Sequence, residues 1–185
     1  MYYVMTCRGK HPRTTIGESP DVPMSPWNGG HIIEEPIVEP LVYTLDPDYP
    51  GNTLAMYSVS ELLVRDDLMA ALRRAGVDNL QTFRAVIVDP ATGQRHEDYS
   101  AVNIVGLVAA ADMAASTTMA QAEEGVPEGI GFDSLVIDVT KPGGVLMFRL
   151  AESVNAIVVH ERVRKQIEAD GIPGMTFWEP GEWAG

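Results

Sequence analysis

Residues 80–110 read LQTFRAVIVDPATGQRHEDYSAVNIVGLVAA. From Leu80 to Asp89 the side chains alternate, with Phe83, Ala85 and Ile87 on one face and Arg84, Val86 and Val88 on the other. That period of two is the signature of a strand. Pro90-Ala91-Thr92-Gly93 supplies a turn, and the chain returns from Tyr99 to Ala110. The stretch therefore predicts a β-hairpin. Past Val102 the returning strand is apolar on both faces, as a central strand covered on both sides would be. His96-Glu97-Asp98, just after the turn, has the composition of an exposed turn.

Before the hairpin, residues 66–75 predict a helix. Asp66 or Asp67 can cap it, Leu68, Ala71, Leu72 and Ala75 share a face, and Gly76 is placed to end it. Residues 58–64 read as a second short helical turn. Residues 37–45 read as a strand broken by Pro40, which suggests an edge or a bulge. Residues 46–52 are a turn cluster, residues 2–7 a short strand, and the Pro- and Gly-rich residues 8–36 a long irregular segment.

After the hairpin, residues 112–131 are ambiguous between a helical turn and a loop. Residues 132–139 and 145–150 read as two strands joined by the turn Lys141-Pro142-Gly143-Gly144. Residues 153–159 read as a short strand or a helix entry. Residues 160–170 predict an amphipathic helix with Val163 and Ile167 inward, and 175–178 a last strand. Strands and helices do not alternate regularly. The expected class is α+β, a mainly antiparallel sheet with a few short helices, in a single domain over 1–185 that carries the irregular segment 8–36.

The net charge is −13, which disfavours nucleic acid and anionic membranes as partners and favours a basic protein. No Lys or Arg occurs between Arg13 and Arg65, a window that carries Glu34, Glu35, Glu39, Asp46 and Asp48. None occurs between Arg95 and Lys141 either, where Glu97, Asp98, Asp112, Glu123, Glu124, Glu128, Asp133 and Asp138 stand. If the two windows meet, they form a negative face; otherwise the acidity serves solubility. Trp27, in the irregular segment, reads as a core plug or as an interface anchor. Trp27 and the clusters Glu34, Glu35, Glu39, Asp46, Asp48 and Glu123, Glu124, Glu128 are the candidate partner-binding residues.

The one cysteine, Cys7, reads as a strand residue and allows no internal disulfide. No secretory leader pattern and no run near the ~20 apolar residues of a membrane span is present, so the cytoplasm is the expected compartment. None of His11, His31, His96 and His160 has metal-ligand spacing, and neither phosphate-binding nor nucleophile-elbow patterns occur. Catalytic, cofactor and metal residues are accordingly not expected.

The chain resembles the bacterial polymorphic-toxin immunity proteins of family eleven, which include partners of secreted nuclease toxins. The blocks that carry the resemblance are residues 1–4, 75–81, Asp89-Pro90, Thr92-Gly93, Glu97-Asp98-Tyr99, 102–106, 133–138, 146–152 and 158–163. The resemblance implies a cytoplasmic antidote that binds a cognate toxin and blocks it, with no catalytic residues. Asn103, Arg149, Glu152 and Glu161 are the polar members of apolar blocks, and read as a buried hydrogen-bond network or a shared pocket. An acidic antidote would suit a toxin with a basic substrate cleft. Two rival readings remain: a small enzyme using His160 with Glu161 or His96 with Asp98, a metal-dependent one included, and a homo-oligomeric scaffold.

Overall fold

A computed structural model gives the fold; it describes residues 1–8, 13–22, 27–59, 61–119 and 130–185. In chain order the elements are β1 (Tyr2–Cys7), β2 (Ile16–Glu18), β3 (Leu41–Leu45), β4 (Met56–Ser58), β5 (Leu62–Arg65) and α1 (Asp66–Ala75). Then follow β6 (Leu80–Val88), β7 (Arg95–Ile104), β8 (Leu107–Val108), β9 (Thr117–Thr118) and β10 (Phe132–Ser134). The last are β11 (Met147–Leu150), β12 (Ser153–His160), α2 (Glu161–Ala169) and β13 (Met175–Trp178). A six-stranded sheet runs β2-β3-β6-β7-β5-β4, a five-stranded sheet β13-β1-β12-β11-β8, and β9 pairs with β10.

Strand alternation distributes the apolar residues among three cores. On β5, Leu62 and Val64 enter a central core while Leu63 enters a second one on the far face of the six-stranded sheet. On β1, Tyr3 and Met5 enter the central core while Tyr2 and Val4 enter a third. On β12, Ile157 and Val159 go to the central core and Ala156 and Val158 to the third. Both sheets therefore lend one face to the same core, which α1 and α2 cover through Leu68, Leu72, Val163 and Ile167. Each sheet is covered on both faces, which is why the inner residues of β7 and β11 are apolar apart from Asn103 and Arg149.

The 80–110 hairpin forms, and α1 has the expected bounds, ending at Gly76 in the left-handed region (φ 94°). Four expectations give way. In place of a helical turn over 58–64, Ser58 ends β4 and Leu62, Leu63 and Val64 form β5, because these three serve two cores in alternation. His96, Glu97 and Asp98 lie in β7, since Asp89 N–H to Gln94 C=O and Gly93 N–H to Asp89 C=O (both 2.8 Å) close the turn within 89–94. Residues 132–139 and 145–150 do not pair with each other. β10 joins β9, and Asp138 N–H instead reaches Ala110 C=O at 2.8 Å. Finally, the sheets are mixed: β3 runs parallel to β6 and β8 parallel to β11, while the other ladders are antiparallel. The α+β class itself holds. The irregular segment contributes β2, and residues 153–160 are a strand.

Candidate partner-binding surface

The segment that presents Glu34 and Glu35 is pinned from beneath by two side-chain amides. Gln81 on β6 uses its carboxamide as a neighbouring strand would: it accepts from Ile33 N–H at 2.8 Å and donates to Ile33 C=O at 2.9 Å. Asn103, opposite Gln81 on β7, donates to His31 C=O at 2.7 Å and to Gln81 Oε1 at 3.1 Å. With the backbone held there, Ile33 and Trp27 fill the second core, and Trp27 meets Phe83 edge-to-face at 5.2 Å. Glu34, Glu35 and Glu39 are left exposed, and Glu39 Oε2 accepts from the backbone N–H of Arg84.

Asp46 and Asp48 sit past the other end of β3. Asp46 Oδ1 accepts from Asp48 N–H at 2.9 Å, which shapes the turn. Because β3 and β6 run parallel, this turn lies at the same sheet end as the 89–94 turn. The two enclose a hollow of about 350 Å³ lined by Asp46, Tyr49, Asp89 and His96 among others. Thr92 and the Ala91 N–H bond the Asp89 carboxylate and hold its pKa below the usual range. Glu39 and Asp46 thus flank a five-residue strand roughly 17 Å long, while Glu34 and Glu35 follow Ile33, which is held on Gln81, four residues before the Ala85 that pairs with Leu41. Beside β3 runs a mainly apolar groove of about 390 Å³ whose walls include Val22, Pro36, Ile37, Val38 and Val42, with Val38 88% exposed.

Among the described residues the five ion pairs are Arg65–Asp67, Arg74–Asp170, Arg95–Glu97, Arg164–Glu168 and Lys165–Glu161. None involves Glu34, Glu35, Glu39, Asp46 or Asp48. The other basic-free window divides between elements. Glu97 and Asp98 lie on β7, whereas Asp112, Asp133 and Asp138 lie between β8 and β11, where neighbouring Ala110, Phe132 and Leu135 cover the third core. Glu123, Glu124 and Glu128 fall outside the described residues. Trp27 has no exposed surface, so of its two readings the structure gives the core plug. Sequence reasoning missed the groove: only the spacing Pro36, Pro40 around Ile37 and Val38 hinted at an apolar stretch held off the sheet.

The four polar residues of apolar blocks do not share one site. Asn103 is buried and bonded as above, and Glu161 pairs with Lys165 on α2 at 2.9 Å. Arg149 is 5% exposed, and Glu152 keeps an enclosed Oε2 without a hydrogen-bond partner among the described residues. His160 caps α2, its Nδ1 accepting from Arg162 N–H at 3.2 Å. His160 and Glu161 therefore each have a local structural partner. Cys7 lies in β1, half-buried, and burial pushes its thiol up. No helix among the described residues is long and apolar enough to cross a membrane.

A family model described as "Immunity protein family (Imm11)" matches residues 47–182, well over half of the chain. Asp48 falls inside that stretch; Trp27, Glu34, Glu35, Glu39 and Asp46 precede it. No curated protein matches the chain.

Proposed function

This chain belongs to the Imm11 immunity protein family, and on that footing we propose that it binds a cognate secreted toxin in the cytoplasm and blocks its active cleft. The toxin in this reading is a nuclease, whose cleft must be basic to hold a phosphate backbone. The family match carries the proposal. Support for a cationic partner comes from Glu34, Glu35, Glu39, Asp46 and Asp48 in the chain that leads into and out of β3, none of which is in an ion pair among the described residues. Long-range attraction between such a surface and a basic cleft raises the encounter rate, while apolar contacts supply affinity. The groove along β3, with Val38 and Val42 exposed on either side of Glu39, offers those contacts beside the charges.

The test is survival. Cells that produce the toxin encoded beside this gene are expected to grow when this protein is co-produced and to die when an unrelated immunity protein replaces it. Death in the presence of this protein, with both proteins made and soluble, would contradict the proposal.

A further inference from the structure

A small cleft opens where the β4–β5 hairpin meets β11 and β12. Its walls are Ser58, Val59, Glu61, Leu62, Arg149 and Asn155, with Asn28 closing one side, and its volume is about 240 Å³. Ser60 lies outside the described residues.

Arg149 is the unusual wall. It stands on β11 between Phe148 and Leu150, both fully buried, and is itself 5% exposed. Its Nη1 donates to Val154 C=O at 2.8 Å, and its Nε is enclosed with no hydrogen-bond partner among the described residues. Among the described residues no carboxylate comes within ion-pair reach of it. Glu61 lines the same cleft, but its Oε2 accepts from the Tyr43 hydroxyl at 3.1 Å. Burial alone pushes the guanidinium down to about 10, with no neighbouring charge acting against it.

Glu61, 1% exposed, is among the described residues the one carboxylate lining the cleft, and it is not in ion-pair reach of Arg149. A buried cation not directly paired is costly, and an apolar side chain of similar volume would serve folding as well or better. A guanidinium also presents its N–H groups as a planar fork that matches a carboxylate with two parallel hydrogen bonds. Asn28, Asn155 and Ser58 add further groups able to donate. The volume admits one side-chain-sized ligand.

We propose that this cleft binds a carboxylate, with the Arg149 guanidinium as its principal partner. The carboxylate comes either from a small free acid or from an acidic side chain of a bound protein. The site stands apart from the carboxylates that flank β3; the free-acid case does not depend on the toxin reading, and the partner case rests on it.

The experiment compares the wild type with Arg149→Met and Arg149→Lys. Thermal midpoints are measured in sodium acetate and in sodium chloride at equal ionic strength and pH 7. Affinity for the toxin is measured in parallel. In chloride the Arg149→Met midpoint is expected to equal or exceed the wild-type value. Acetate is expected to raise the wild-type midpoint saturably, by about 3 °C when it stands roughly tenfold above its Kd, and to leave Arg149→Met unmoved. Arg149→Lys keeps part of the response. If acetate has no effect but Arg149→Met, equally stable, binds the toxin more than tenfold more weakly, the carboxylate is the partner's. If neither response depends on Arg149, or Arg149→Met is destabilised in chloride without either response, the residue is structural and the proposal falls. Should the toxin not bind even the wild type, the functional reading fails separately and the acetate comparison alone decides.

Discussion

Trp27 shows how a single side chain can be read correctly in kind and still not be placed. A Trp in a Pro- and Gly-rich loop has either of two uses, and what selects between them is long-range: residues 31–33 are clamped by Gln81 and Asn103, and the loop is drawn onto Phe83. Nothing within ten residues of Trp27 announces that clamp. Truncating this fully enclosed ring leaves a large cavity in the second core, so Trp27→Ala is expected to cost about 3–5 kcal/mol, read as a lowered urea midpoint. A loss below about 1 kcal/mol, the level of a surface change, would mean that the ring is not enclosed. The buried polar residues were more legible, because Asn103 and Arg149 interrupt apolar runs. Their separation into a hydrogen-bond clamp and a cleft was not, since β7 and β11 lie in different sheets.

Among the elements, the two helices were the most legible. Their ends are written locally, by Gly76 for α1 and by His160 and Gly171 for α2; the expected Asp66 or Asp67 cap does not form, since the N-cap of α1 is Arg65, without a side-chain cap bond, and both aspartates lie in the first turn. The His160 cap carries a pH dependence. Desolvation, with the N-terminal charge as a further cause, lowers the His160 pKa, and its Nδ1 must be unprotonated to accept the Arg162 N–H. The folded state thus holds its proton more weakly than the unfolded state does. The cap's contribution is intact above the unfolded value near 6.5 and is lost as pH falls from there through the lower folded value. His160→Asn keeps a capping side chain but does not titrate. The urea midpoint of the wild type is expected to fall more steeply between pH 7.5 and pH 5.5 than that of His160→Asn; equal slopes would show that His160 is not the titrating cap. Strands were less legible than helices. β5 looked helical because Leu62, Leu63 and Val64 are all apolar, and only knowledge of two cores distinguishes an alternating strand from a buried turn.

For the whole molecule, the α+β class followed from irregular alternation of elements, but the parallel ladders could not. The chain leaves β3, builds β4, β5 and α1, and returns as β6 beside β3, so the pairing is set by that crossover and by no local pattern. Charge behaves similarly. The run from Arg13 to Arg65 without a base was visible in the sequence, yet its carboxylates stand at both ends of β3, and those of the other window belong partly to a different sheet. The carboxylates that flank β3 are therefore the surface proposed to draw in a basic toxin. The most direct test of that surface is the rate of association with the toxin across a range of salt concentrations, for the wild type and for a variant carrying Glu34→Lys, Glu35→Lys and Glu39→Lys, three exposed positions without an ion pair among the described residues. The prediction is association roughly tenfold or more slower at low salt, with a flatter dependence on ionic strength; rates and salt slopes indistinguishable from wild type would contradict it.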